Sequence, residues 1–198
     1  MVKLYHVGVL YKNQSKAVCL CAASDLSSFG FFQRNSIKEF MNFTSQILVE
    51  RCQPGSRMSV KEEAYMCHIF VKADNLAAAL ISDQEYPQRV AHTLLNKILQ
   101  EFSSIHSPSS WTGGANSLTF ADLEKYLADY QDPRKADSLM KIQDELDETK
   151  IILHNTVQAV LERGEKLDDL VVKSEELSLQ SKTFYKTARK TNQCCVIL

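Results

Sequence analysis

The sequence lacks any apolar run approaching the roughly 18 residues that a membrane-spanning helix needs. Its first residues do not read as a secretory leader, and none is expected: MVKLYHVGVLYKNQSK alternates apolar with polar side chains, and no small-residue cleavage site follows. Net charge is nearly absent, at −1, so nothing draws the whole chain to nucleic acid or an anionic membrane, and no nucleic-acid partner is expected. The patterns G-x-x-x-x-G-K-[ST], H-E-x-x-H and G-x-S-x-G are all missing, which points away from an enzyme, a catalytic residue, a cofactor or a metal site. Proline and glycine are scarce, with 4 and 6 residues, and after Pro133 only Gly164 interrupts a helix-compatible stretch. With no leader the six cysteines read as reduced thiols in the cytosol.

What is present divides in two. Residues 1–131 read as an α+β domain, 132–137 (around Pro133) as a charged linker, 138–193 as a coiled-coil helix, and 194–198 as a C-terminal signal. In KLYHVGVLY and KAVCLCAA, apolar residues alternate with period 2 on either side of a short polar turn, predicting a hairpin. Cys19 and Cys21, two apart, fall on one face by that alternation and read as buried structural thiols. SIKEFMNFTSQILVER switches to helical spacing, with Ile37, Phe40, Met41, Thr44, Ile47 and Leu48 in a stripe, Phe43 at its edge and Ser36 as N-cap. Strands follow on both sides of Asp74-Asn75. His68 beside Cys67 is no catalytic pair, because neighbours in a strand point to opposite faces. A second helix carries Val90, Ala91, Leu94, Leu95, Ile98, Leu99 and Phe102, and a third carries Phe120, Leu123, Leu127 and Tyr130. The sum is a five-stranded antiparallel sheet with three helices.

The second part holds a seam stepped by 3 and 4: Leu139, Ile142, Leu146, Thr149, Leu153, Thr156, Val160, Arg163, Leu167, Leu170, Ser174, Leu177, Ser181, Phe184, Ala188 and Thr191. Its many small and polar members suit a seam shared with other helices better than a homodimer. Arg163 sits in the middle with apolar neighbours in register on both sides. A guanidinium buried in a coiled coil needs partners, or its desolvation costs several kcal/mol. Glutamines there would satisfy it without a second buried charge.

The stretch DETKIILHNTVQAVLERGEKLDDLVVKSEELSLQSKTFYKTARK closely resembles the motif of R-SNAREs, the membrane-fusion proteins. LERGEKL puts Arg163 at that family's central ionic layer. SSFGFFQRNSIKEFMNFTSQILVER and DQEYPQRV resemble the longin domain, a profilin-like fold preceding the motif in one branch. The match extends over essentially the whole chain and is to the prenylated longin R-SNARE without a transmembrane anchor. The resemblance implies a fold of longin domain followed by a long SNARE helix. It implies a parallel four-helix bundle with three Q-SNARE helices, three glutamines around Arg163, and fusion driven by zippering. It also implies a longin domain that folds back on the motif, for which Phe43 and Phe40 are the candidate groove. Localisation would cycle between cytosol and the Golgi, ER-derived, endosomal or autophagic membranes.

The tail, Cys195-Val196-Ile197-Leu198, fits the C-a-a-X signal read by a prenyltransferase, with Lys182, Lys186, Arg189 and Lys190 upstream. One lipid binds a membrane only marginally, so Cys194 is the natural second site, for palmitate or another prenyl group. Leu198 favours geranylgeranyl, whereas this branch commonly ends in Met, which favours farnesyl. Ser174 and Ser181 stand in core layers where a phosphate could not be buried, making them possible phosphosites that block assembly. The competing reading is a lipid-anchored coiled-coil tether or adaptor that does not drive fusion.

Overall fold

The computed structural model describes residues 3–133 and 150–194, with side chains to Arg189. Strands β1 (Leu4–Asn13) and β2 (Lys16–Ser24) form the expected hairpin, and Gln14 in the loop takes a left-handed φ of 55°. β3 (Ser56–Glu62), β4 (Tyr65–Val71) and β5 (Leu76–Asp83) complete an antiparallel set, β4 and β5 turning through Asn75 at φ 66°. The sheet order is β2-β1-β5-β4-β3-β6. β5 is covered on both faces, so its first six residues, LAAALI, read as an unbroken apolar run. Leu76, Ala78 and Leu80 face one core, Ala77, Ala79 and Ile81 the other.

Helix α1 (Arg34–Arg51) lies on one face of the sheet; α2 (Gln88–Ile105) and α3 (Asp122–Asp129) lie on the other. All seven apolar residues of the α2 stripe are buried, about four to each two turns, as a core-facing helix requires. In α1 the expected stripe splits. Ile37, Met41 and Leu48 enter the sheet core, while Phe43 and Ile47 turn to a separate cluster. Ser36 is not the N-cap: a 3₁₀ turn at Phe31–Gln33 leads into the helix, and Ser36 is buried within its first turn.

Cys19 and Cys21 do not share a face. The β1–β2 register steps from Val9↔Cys21 to Leu10↔Cys19, leaving Leu20 as the extra residue of a bulge. Cys21 and Leu20 therefore pack toward α2, and Cys19 packs toward α1. Burial pushes the Cys19 thiol up to about 12 and that of Cys21 to about 11, so both stay protonated. Cys19, Cys21, Cys52 and Cys67 are free and buried. Cys67 and His68 do point to opposite faces: Cys67 joins the α1-side core, and His68 meets His92 of α2 through Ser59, whose Oγ is 2.9 Å from His68 Nδ1 and 2.9 Å from His92 Nε2.

Two expectations change in residues 150–194. The sheet has a sixth strand, β6 (Ile151–His154), which runs parallel to β3 with Arg57↔Ile151 and Val60↔His154 in register. Beyond it the described heptad segment is not one helix. It makes a 3₁₀ turn at Val157–Ala159, then α4 (Leu167–Lys173) and α5 (Leu179–Cys194). A heptad seam is stable as a continuous helix only where other helices cover it. Here the apolar residues find cover on α1 and on the β3 edge, and the backbone bends to reach both. The breaks fall where local chemistry permits them. Thr156 caps the 3₁₀ turn by accepting from Ala159 N, Gly164 takes φ 91°, and Ser174 ends α4 in an extended conformation.

Candidate functional site

The site is the contact between α1 and the returning segment. Along α1 the side chains of Glu39, Phe40, Phe43, Ile47 and Arg51 meet it. Phe43 and Ile47 pack with Val171 and Leu177, flanked by Phe40, Leu161, Leu167, Leu170 and Tyr185. Phe40 stacks on Tyr185 with ring centroids 5.1 Å apart and planes inclined 23°, an offset-stack geometry. Val157 enters the sheet core itself, with Val160, Leu167 and Phe184 packed beside it.

Polar groups of the folded domain complete the fit. Glu39 accepts from Ser178 N at 3.0 Å and from Ser181 Oγ at 2.6 Å, serving the first turn of α5. Burial would raise the Glu39 carboxyl, but the hydrogen bonds from Ser181 and Ser178 outweigh it and hold the group below its usual range. Glu62 accepts from Val157 N at 2.8 Å. Arg51 Nη2 reaches both carboxylate oxygens of Glu165, at 2.9 and 3.0 Å. Within the segment, Gln158 receives Leu167 N at 3.3 Å and donates to Glu165 O at 2.6 Å, and Tyr185 and Arg189 both donate to Asp168. Between α1, β4 and the segment remains a cavity of about 640 Å³, lined mostly by apolar side chains that include Phe29, Ile37, Met41, Tyr65, Cys67 and Phe184.

Comparison with known proteins decides the family. Residues 26–127 match the longin family, described as a regulated-SNARE-like domain, and residues 138–197 match the synaptobrevin family. The synaptobrevin homolog ykt6 of Schizosaccharomyces pombe is 52% identical over 196 residues, covering 99% of this chain and 100% of its own. The homologs YKT6 of Eremothecium gossypii and Debaryomyces hansenii are each 49% identical over 200 residues, covering 100% of both chains. The chain is a longin R-SNARE. As such it is a component of vesicle transport with SNARE partners, and it is not an enzyme.

In this longin R-SNARE the seam residues differ in where they lie. Val160, Leu167, Leu170, Leu177, Ser181 and Phe184 lie against the folded domain, and Ser181 is only 1% exposed. Ser174 is half-buried, its Oγ accepting from Glu176 N and Leu177 N. Leu153 on β6 is largely exposed, Thr156 is the exposed cap and Ala188 is half-buried. Arg163 is exposed, in a turn closed by Glu165 N to Glu162 O at 3.0 Å with Gly164 following it. Leu139, Ile142, Leu146, Thr149 and Cys195 lie outside the described residues, as do the side chains of Thr191 and Cys194. Among the described residues no helix is long and apolar enough to cross a membrane, and no group of three or more His, Cys, Asp or Glu is placed to hold a metal.

The seam pattern did not reveal Val157, Leu161, Val171 and Tyr185, nor their acceptors Glu39 and Glu62 or the Arg51 clasp. A signal existed for the first four. They are apolar residues lying off the 3-4 seam, where a helix serving only a coiled coil carries polar side chains.

Proposed function

We propose that the chain alternates between a closed form, in which the longin domain covers the SNARE seam, and an open form whose helix joins three Q-SNARE helices in a parallel bundle. The carrying observation is that Val160, Leu167, Leu170, Leu177, Ser181 and Phe184, residues due to face partner helices, are already occupied by the chain's own domain. One side chain cannot fill both positions, so closure and assembly exclude each other. In the bundle Arg163 is the ionic layer, its donors taken by three glutamines, and its exposure in the closed form leaves it without a desolvation penalty until partners arrive.

Cys195 carries the prenyl group, farnesyl or geranylgeranyl, added by a prenyltransferase, and Cys194 carries palmitate or a second prenyl. The apolar cavity of about 640 Å³, bordered by Ala188 and Arg189 near the end of α5, is of the size and character to shelter such a chain while the protein is in the cytosol. Release would move it to the cytosolic face of Golgi, ER-derived, endosomal or autophagic membranes. Domain limits at 1–131, 132–137, 138–193 and 194–198 fit this division of labour.

The test mixes the full chain with three Q-type helices and follows formation of a heat-resistant four-helix bundle. Assembly that is slow for the full chain, fast for Phe43→Glu, and weakened by Arg163→Leu is the expected pattern. Failure of the open variant to assemble, or indifference to Arg163→Leu, would instead favour the tether.

A further inference from the structure

The loop before α1 exposes two phenyl rings that the closed contact does not use. Phe31 is 77% exposed and Phe32 85%. They pack edge to face, with centroids 5.6 Å apart, on the 3₁₀ turn Phe31–Gln33. The turn is braced: Arg34 Nε donates to Phe29 O and its Nη2 to Ser27 O, both at 3.1 Å, and Gln33 N donates to Gly30 O at 2.9 Å. The rings are therefore held outward by backbone geometry. Across a cavity of about 670 Å³, lined by Phe32, Gln33, Leu179, Thr183 and Phe184 among others, stands Leu179 of α5, 82% exposed.

The charge around this tip leans positive, with the Glu39 carboxylate as the acid that meets the start of α5, accepting from Ser178 N and Ser181 Oγ. Residues 26–38 contain Arg34 and Lys38 and no acid, and residues 177–194 contain Lys182, Lys186, Arg189 and Lys190 and no acid, in a chain whose net charge is −1. Some of this charge is engaged: Arg189 pairs with Asp168, and Lys182 Nζ donates to Val172 O at 3.0 Å. Lys186, seven residues beyond Leu179 on the same helical face, is exposed. Asp25 and Glu39 flank the first stretch, Asp25 pairing with Lys3 at 3.7 Å, and Glu175 and Glu176 precede α5, Glu176 within electrostatic reach of Glu50, further along α1.

We propose that Phe31, Phe32 and Leu179, with the cationic flank of α5, form a tip through which the closed chain touches an anionic lipid surface. Three apolar side chains are too few for a stable protein interface, which buries on the order of 1,200 Å² or more. They suffice for shallow insertion at a bilayer surface when basic residues add attraction to anionic headgroups. Gln33 and Phe184 line both cavities, so the tip sits beside the cavity assigned to the lipid. The contact itself requires no attached lipid and no SNARE partner.

The experiment uses the full chain with Cys194→Ser and Cys195→Ser, which carries no lipid, in flotation with vesicles of phosphatidylcholine with and without phosphatidylserine. Binding is expected only to the anionic vesicles, and Phe31→Ser/Phe32→Ser should reduce it about tenfold or more, the two rings losing their apolar burial. Phe31→Ser alone, at a ring lining neither cavity, should reduce it while leaving α5 packed. Phe32→Trp should shift its emission to the blue on anionic vesicles and be quenched by brominated acyl chains, against the constant signal of Trp111, which is 2% exposed. Unchanged flotation of the double variant, or an unshifted Phe32→Trp emission, overturns the proposal. So does a change in oligomeric state of the double variant without vesicles, which would assign the tip to a protein contact.

Discussion

Arg51, in the last turn of α1, holds both carboxylate oxygens of Glu165, so an ion pair with the folded domain closes two residues beyond Arg163. The Glu162 backbone hydrogen bond and then Arg51 keep the Glu165 carboxyl below its usual range. Both side chains are partly exposed, at 19% and 28%, which limits the pair to about 0.2–1 kcal/mol after screening. Arg51→Ala should raise the open fraction up to about fivefold without touching the seam, seen as faster capture by Q-type helices. Raising salt should produce the same change in the native chain and little further change in the variant.

Phe43 is 7% exposed among Ile47, Val171 and Leu177. Phe43→Glu removes that packing and sets a carboxylate in an apolar cluster, costing the closed form about 3 kcal/mol or more. Hydrogen exchange should then show lost protection across residues 167–189, while β1, β5 and α2 keep theirs. Equal protection in both regions would remove Phe43 from the contact.

Gly164 has φ 91° in the turn after Arg163. Gly164→Ala strains that turn and at the same time favours helix, each by about 1 kcal/mol. Both effects act in one direction, toward the continuous helix. Circular dichroism should show more helix in the variant than in the native chain at equal temperature.

Ser181 is 1% exposed and donates to Glu39. Ser181→Glu places a second carboxylate against the first, which opens the closed form, and also puts a charge in a bundle layer. The variant should therefore lose protection at α5 yet assemble poorly with Q-type helices. Adding Glu39→Gln should lessen the first defect and leave the second.

Acid should weaken the longin fold. Burial lowers His68 to about 4, lowers His92 to about 3 with His68 and Arg57 adding to it, and lowers His6 to about 4 with a contribution from Lys38, against an ordinary 6.5. Each is neutral in the folded chain and charged in the unfolded one between those values. The unfolded state then binds more protons, so stability is whole above about pH 6.5 and falls as pH drops toward 4. Thermal melting across that window should show the decline, and His92→Phe should flatten part of it.

Much of this was legible in the residues. Alternation located β1 and β2, the 3.6 period located the buried face of α2, and the edge position of Phe43 set it apart from the residues that enter the sheet core. The bulge at Leu20 was not legible, because a one-residue insertion leaves the apolar pattern of either face intact locally while swapping Cys19 against Cys21. The path of residues 150–189 was hidden for a different reason. Their spacing satisfies a continuous helix, and only the shape of α1 and the free edge of β3 select the bent path. Ile151–His154 pairs with β3 through backbone atoms, for which a side-chain pattern carries little information.

That pairing has a consequence for the open chain. In the open form proposed above, Ile151–His154 would leave, and the backbone donors and acceptors of Arg57–Val60 along β3 would become a bare sheet rim, able to template an extended peptide. The departing strand thus acts as the domain's own guard against sticking to its neighbours. An opened molecule that failed to find partner helices would carry two adhesive surfaces at once, the seam and the rim, and clumping would compete with reclosure from that moment on.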